Sequence, residues 1–322
     1  EILRAAAAAA SASGQEATAE DGPWLFTCQR KVLGVLQSHA KDASLREEAF
    51  RARWRLGVEG YDAEQEGNLD VIAAMLEHRQ FWATTLGFPN YADLAFESRM
   101  STREEVEALL GVLREAGEAA SKDELQELQE YAAEKGFEGE LKAWDLAYWR
   151  RALVQERSNF QDADLMPYLP LPAVLRGLFS LLEHLFGVSF EAATGRREVP
   201  LWHRSIRFFR LVDRELQFPF AGLYLDMFQH DEKLPSPDGG FTADSFVSYS
   251  PLLGKNNVPR RPIASIVGEL APPKKGAPTL LTLAQVRSLF HAAGSAMQHL
   301  LTIQDVGLAA GTQGMELDFV EF

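Results

Sequence analysis

The sequence predicts a mainly α-helical protein with one small β-sheet set before its last helices, and three observations predict it. Between Trp24 and Phe186 the apolar residues recur at helical spacing, in blocks broken by Gly, Pro and Asn. From about residue 198 to 228 the pattern changes to runs rich in aromatic and β-branched residues. Thr282 then opens a further helix that runs to Thr302.

Taken in order, residues 1–22 are Ala-, Ser- and Gly-rich and end at Asp21-Gly22-Pro23. They read as low complexity, either the remnant of a processed precursor or a disordered end. Ser44 with Glu47 three residues later forms a capping-box pattern opening a helix through Arg55. Asn68 precedes a helical run from Leu69 to Thr85, stopped by Gly87 and Pro89. The next block begins at Ser101-Thr102-Arg103-Glu104-Glu105, with acids in its first turn where the helix dipole favours them. It continues to Lys135-Gly136, with Glu124, Glu127 and Glu130 on a solvated face and Leu125 and Leu128 on a packed one. Asp145–Arg157 and the strongly apolar Leu171–Phe186 are further helices. Val199–Val212 and Gln217–Phe228 form a hairpin about an Asp213-Arg214 turn. Gln229–Pro262 reads as an irregular loop, Pro262–Leu270 as a short strand, Pro272–Gly276 as a linker and Glu316–Phe322 as a last short helix. The expected organisation is a low-complexity segment at 1–22, a helical region at 23–197, and the small sheet with the last helices at 198–322.

Composition limits the function. A chain of 322 residues can bury a sizeable core, and its 46% hydrophobic and 24% charged content is ordinary for a soluble globular protein. The net charge of −14 argues against nucleic acid, which needs a Lys/Arg excess to release counterions, and suits neither an anionic membrane surface. The single Cys28 rules out an intrachain disulfide framework and a thiolate zinc site, so a reducing intracellular compartment is the simplest reading. No run of about 18 uncharged apolar residues reads as a transmembrane helix.

The chemistry-bearing candidate lies in the helix that opens at Thr282. Zinc peptidases carry H-E-x-x-H on a helix: residues four apart share one face, so both imidazoles reach one metal, and the Glu activates the metal-bound water. Here the stretch reads His291-Ala292-Ala293-Gly294-Ser295, with the first His present, Ala292 in the Glu position and Ser295 in that of the second His. Taken alone, H-A-A-G-S carries no information.

The surroundings do. Leu281-Thr282, Val286 and Leu289-Phe290-His291 before the motif, and Gly311-Thr312 with Asp318-Phe319-Val320-Glu321 after it, closely resemble the thimet oligopeptidase/oligopeptidase A (M3-type) family of zinc metallopeptidases. Upstream, Leu86-Gly87-Phe88-Pro89-Asn90-Tyr91-Ala92, Leu141 to Trp149, Tyr168-Leu169-Pro170-Leu171 and Gly222-Leu223-Tyr224-Leu225-Asp226 keep that family's order and spacing, so the resemblance covers residues 24–322. It implies a zincin-like helical oligopeptidase fold. It also matches His291 to the first zinc ligand and Glu321 to the third.

The departures are as informative. A peptidase zinc site needs three protein ligands plus water. Replacing the second His by Ser295 leaves His291 and Glu321 as vestigial ligands, expected to hold no zinc. Ala292 removes the general base, a group worth about 10²–10⁴-fold in rate. His299 is no substitute, because eight residues along a helix is about 12 Å of rise. Family members continue past the third-ligand segment into a helical region that contacts substrate, so the resemblance also implies that half of the peptide cleft is missing from these 322 residues. The expectation is a non-catalytic relative without a cofactor, acting as a structural or interaction subunit of a protein complex or as a peptide-binding scaffold. The alternative is a working zinc oligopeptidase that cleaves short peptides. An organelle, chloroplast or mitochondrion, is a possible location.

Other candidates read more plainly. Trp144, Tyr148 and Trp149 form a packed helix face, His203 and His230 are ordinary polar residues without partners at ligand spacing, and Ser248 and Ser250 lack a His/Asp context. Arg260-Arg261 is a small basic signal. The helix at 171–186 and the strand at 263–270, through a free edge, are the expected partner surfaces.

Overall fold

The computed structural model describes residues 2–18, 20–58, 67–158, 162–196, 199–230, 233, 240–247, 260–273, 276–304, 306, 310–311, 315 and 317–319. The chain divides into two compact units, residues 1–159 and 160–322.

The first unit is helical: α1 (Ile2–Ala12), α2 (Arg30–His39), α3 (Ala43–Arg55), α4 (Leu69–Thr85), α5 (Tyr91–Phe96), α6 (Arg103–Glu134) and α7 (Leu146–Ser158). α1 corrects the low-complexity reading of 1–22. Alanine is the strongest helix former, and Ala6, Ala7 and Ala10 are buried, with Leu25 N–H donating to the Ala6 carbonyl. α6 starts on a full capping box, Thr102 accepting from Glu105 N–H and Glu105 accepting from Thr102 N–H. At α3 the cap is Asp42, accepting from Ser44 N–H, rather than Ser44 itself. One buried ion pair ties α3 to the start of α7. The Arg46 guanidinium donates to Asp145 Oδ1 at 2.5 Å and 3.2 Å and to the Ala40 and Lys41 carbonyls at 2.9 Å. Leu128, Ala132 and Leu141 form a small core with Phe137, Trp149 and Leu153.

The second unit carries the sheet. After the short α8 (Asp162–Leu165) and α9 (Leu171–Phe186) come β1 (Val188–Ala192), β2 (Arg207–Asp213), β3 (Pro219–Phe228), β4 (Thr242–Val247) and β5 (Ile263–Leu270), then α10 (Leu283–Leu300). The strand order is β1-β2-β3-β5-β4, antiparallel throughout except for the parallel β3–β5 pair. The hairpin predicted around Asp213 is present as β2 and β3, and Asp213 accepts from Glu215 and Leu216 N–H in the turn. Residues 199–206, read as strand, lie outside β2. Two strands are additions: β1 follows Gly187, and β4 lies within the segment read as irregular loop. Of the last predicted helix, Leu317–Phe319 is a single 3-10 turn, and the rest lies outside the described residues. β5 is interior, paired on both sides, so the free edge expected at 263–270 is corrected: β4 holds that edge.

One sheet face packs under the helices. Leu178 and Leu182 of α9 and Leu289, Ala293, Ala296 and Leu300 of α10 share one core with Leu223, Leu225, Met227, Ala264, Ile266 and Leu270. Side chains alternate in direction along β3 and β5, so Tyr224, Asp226, Ser265 and Glu269 fall on the opposite face, where they are buried as well. Phe241 belongs to the helix-side core and lies where any Cβ on Gly268 would overlap its ring. Glycine at 268 therefore lets the β4 entry close onto β5. Gly268→Ala is expected to destabilise the sheet unit by about 1–3 kcal/mol through overpacking, read as a lower urea midpoint; an unchanged midpoint would show that Phe241 gives way freely.

Candidate functional site

α10 is capped and anchored in its first two turns. Thr282 and Gln285 form a capping box, with Gln285 N–H donating to Thr282 Oγ1 at 3.2 Å and Thr282 N–H to Gln285 Oε1 at 2.9 Å. Ser288 Oγ accepts from Phe241 N–H at 2.8 Å and donates back to the Phe241 carbonyl at 3.3 Å, fastening the helix to the β4 entry. Leu289, Ala292, Ala293, Ala296, Met297 and Leu300 are buried at the three- and four-residue spacing of one helix face.

That seating fixes the motif. Ala292, at 1% exposure, is turned into the core, while His291 and Gly294 are exposed and Ser295 is half-buried. Ser295 Oγ donates to the His291 carbonyl at 3.3 Å, one turn back along the helix. His299 is buried, and Gly311, at φ +65°, passes so close that a Cβ there would stand 2.6 Å from the His299 Nδ1. Thr312 and Glu321 lie outside the described residues. Among the described residues no group of three or more His, Cys, Asp or Glu side chains could hold a metal ion. The described motif residues do not fit a three-ligand zinc site: His291 is the sole ligand-type side chain in 291–295, and Ser295 hydrogen-bonds to its own helix.

A second polar constellation sits at the carboxyl ends of β3 and β5. Asp226 is buried and accepts from Lys233 Nζ at 2.8 Å, Trp202 Nε1 at 3.2 Å and His230 Nε2 at 3.2 Å. Lys233 Nζ also reaches the carbonyls of Asp226 at 2.8 Å, Phe228 at 3.1 Å and Gly268 at 2.6 Å, stitching β3 to β5. Burial alone would push the Asp226 carboxyl up; the hydrogen bonds from Lys233, His230 and Trp202, with the Lys233 charge, hold it below its ordinary value. His203 stacks on His230 with ring centroids 4.3 Å apart and planes 13° apart, and its Nδ1 lies 2.7 Å from Ser205 Oγ. His203 and His230, read as ordinary polar residues with no partner at ligand spacing, prove to be partnered with each other and, for His230, with Asp226, without forming a metal-ligand set among the described residues. Their partners come from loops at opposite strand ends, which spacing does not reveal. The available signal was Asp226 itself, a charge in an apolar strand that needs a buried counter-group.

The remaining candidates are structural. Trp149 packs edge-on against Tyr131, Phe137 and Tyr148, Trp144 against Phe50, and Arg46 lies over Tyr148. Arg261 lies over the Phe218 ring, and Ser248 and Ser250 are outside the described residues.

A family model described as Peptidase family M3 matches residues 36–322. The chain is 35% identical over 319 residues to an organellar oligopeptidase A, chloroplastic/mitochondrial, of Arabidopsis thaliana, covering 98% of this chain and 39% of that protein. It is 30% identical over 298 residues to oligopeptidase A of Haemophilus influenzae, covering 92% and 42%. Against a probable thimet oligopeptidase of Arabidopsis thaliana it is 26% identical over 239 residues, covering 72% and 32%. The chain thus spans less than half the length of these relatives.

A carboxyl held below its ordinary value stabilises the fold above the unfolded value, 3.8, and that contribution is lost as pH falls through the lower folded value. Asp226→Asn is expected to destabilise the sheet unit by about 3–5 kcal/mol at neutral pH, since it leaves Lys233 buried without its counter-charge. It should also flatten the acid limb of stability against pH. Urea melts between neutral pH and pH 3 check both; a parallel shift of the two curves would assign the acid limb elsewhere.

Proposed function

The chain belongs to peptidase family M3, and we propose that it is a non-hydrolysing member whose work is binding, as a subunit of a protein complex or a scaffold for peptides. The observation that carries the reading is α10. Where a zinc peptidase needs a carboxylate base there is a methyl group in the core, Ala292, and where it needs a second imidazole there is Ser295, bonded to the helix backbone. His291 and Glu321 stand as vestigial ligands, short of the three that hold a peptidase zinc.

A binding role draws support from the first unit. Val71, Ile72, Met75, Leu76, Phe81 and Trp82 of α4, and Leu109, Leu110, Val112 and Leu113 of α6, are all exposed large apolar side chains. Surfaces of that kind mark contacts with other polypeptide. An organelle setting, chloroplast or mitochondrion, is part of the proposal and rests on the printed name of the Arabidopsis relative. Among the described residues no helix is long and apolar enough to cross a membrane.

The relatives' names favour a second reading, an oligopeptidase, which the family resemblance would make zinc-dependent and specific for short peptides. It would require zinc on His291, Glu321 and a further ligand, and a base other than residue 292.

Metal analysis and a quenched-peptide assay on the same preparation separate the two. We expect well under one zinc per chain and no turnover above buffer, with peptide titrations showing binding, if any, without cleavage. About one tightly held zinc per chain together with turnover sinks the proposal. The double variant Ala292→Glu/Ser295→His is expected to raise zinc uptake above that of the unmodified chain, because it returns a second imidazole to the His291 face one turn along.

A further inference from the structure

We propose that the pocket at the carboxyl edge of the sheet is a binding site for a compact oxyanion, a carboxylate or a phosphate. The cavity, about 490 Å³, is bounded by the 203–207 segment entering β2, by Phe228, Gln229 and His230 leaving β3, and by Pro272 and Pro273 after β5. Its volume falls within the range of small-molecule sites, roughly 300–1,000 Å³.

Its chemistry is one-signed. Arg204 and Arg207 line it, both are exposed, and neither forms an ion pair among the described residues. Among the described residues no carboxylate lines the pocket, in a chain whose net charge is −14. Two guanidinium forks at one opening match the paired oxygens of a carboxylate or phosphate, which they bind with parallel charge-assisted hydrogen bonds.

His203 adds a donor. Its Nδ1 accepts from Ser205 N–H at 3.3 Å, so in the neutral ring the proton is carried by Nε2. Among the described residues no group accepts that Nε2–H. Beneath it lies His230, with its side chain 4% exposed and its Nε2 committed to Asp226. The His230 Nδ1 is buried without a hydrogen-bond partner among the described residues. Buried polar atoms left unsatisfied are rare in native structures, and this one lies in a side chain that forms part of the pocket wall. Phe228 and the two prolines give an apolar wall against which the carbon body of an anionic ligand can rest. The knot around Asp226 and Lys233 keeps the floor rigid, so the donors are held in place before a ligand arrives.

The site is separate from the α10 motif, and its test does not depend on whether the chain hydrolyses peptides. Calorimetric titration of the full chain at low chloride would use sodium phosphate in one arm. The other arms would use an N-acetylated tripeptide with a free C-terminal carboxylate and the same peptide amidated. Saturable binding is expected in at least one anionic arm, weakened roughly tenfold or more in Arg204→Ala/Arg207→Ala, since a hydrogen bond to a charged group is worth at least a factor of ten. Phosphate alone would identify a phosphoryl ligand; the free acid but not the amide would identify a peptide terminus. Arg204→Lys/Arg207→Lys keeps the charge without the forks and should lose part of the affinity, so the comparison stands even if the alanine pair folds poorly. Saturable binding in no arm, or binding equal in unmodified chain and both variants, overturns the proposal.

Discussion

Everything at the motif follows from how α10 lies on the sheet. Ala292, Ala293 and Ala296 give the helix a flat, small-residue stripe, while Leu289, Met297 and Leu300 fill the space to either side. A helix seated that way has no freedom to rotate: a turn of one residue would bring His291 into the core and expose Leu289. The Ser288–Phe241 pair, which joins the helix to the β4 entry, opposes the remaining freedom, sliding along the axis. Position 291 is therefore held outward and 292 inward, whatever side chains stand there.

The two faces of the sheet hold it together by different means. Under α9 and α10 the contacts are apolar and additive, the ordinary consequence of removing aliphatic area from water. On the other face a smaller apolar cluster of Ile206, Phe208 and Tyr224 is supplemented, at the carboxyl ends of β3 and β5, by a local ionic tie. Parallel strands have no hairpin to join them, and the long excursion between β3 and β5 carries β4 to the far edge. Lys233, donating to carbonyls on both strands and to Asp226, performs the closing that a tight turn would otherwise provide. The same geometry brings the 203–207 segment, the β3 exit and the β5 exit to one rim, which is why a pocket forms there.

Much of this was legible in the sequence, for identifiable reasons. α10 announces itself through Thr282 with Gln285 and a run of three- and four-residue apolar spacings. The β2–β3 hairpin announces itself through its aromatic and β-branched residues around Asp213. β4 was hidden because its residues, Thr242-Ala243-Asp244-Ser245-Phe246-Val247, sit in a Gly-, Pro- and Ser-rich stretch and form a strand only by pairing with β5, which comes later in the chain. β1 was hidden because five residues after a helix-ending Gly187 have too few alternations to register. α1 was missed because an alanine run is compositionally simple and yet the most helical of sequences. Long-range polar pairs were invisible for the same reason throughout: Arg46 finds Asp145, and His203 finds His230, across separations that no local spacing encodes.

On the proposed reading, the motif positions also explain how the fold could persist without the chemistry. A glutamate at 292 would have to carry a carboxylate into a helix–sheet seam where the present residue is 1% exposed. An unpaired buried charge is among the costliest features a core can hold, tolerated where a metal or a reacting water gives it a role. With alanine there, no charge enters that part of the seam, and serine at 295 satisfies its hydroxyl on the backbone of its own helix. Neither residue asks anything of the surrounding structure. On the proposed reading, alanine and serine at these two positions spare the scaffold a burial cost that only catalysis would justify. An M3 framework carrying them keeps its packing, its capped helix and its knotted sheet edge, and with them every surface through which it could bind.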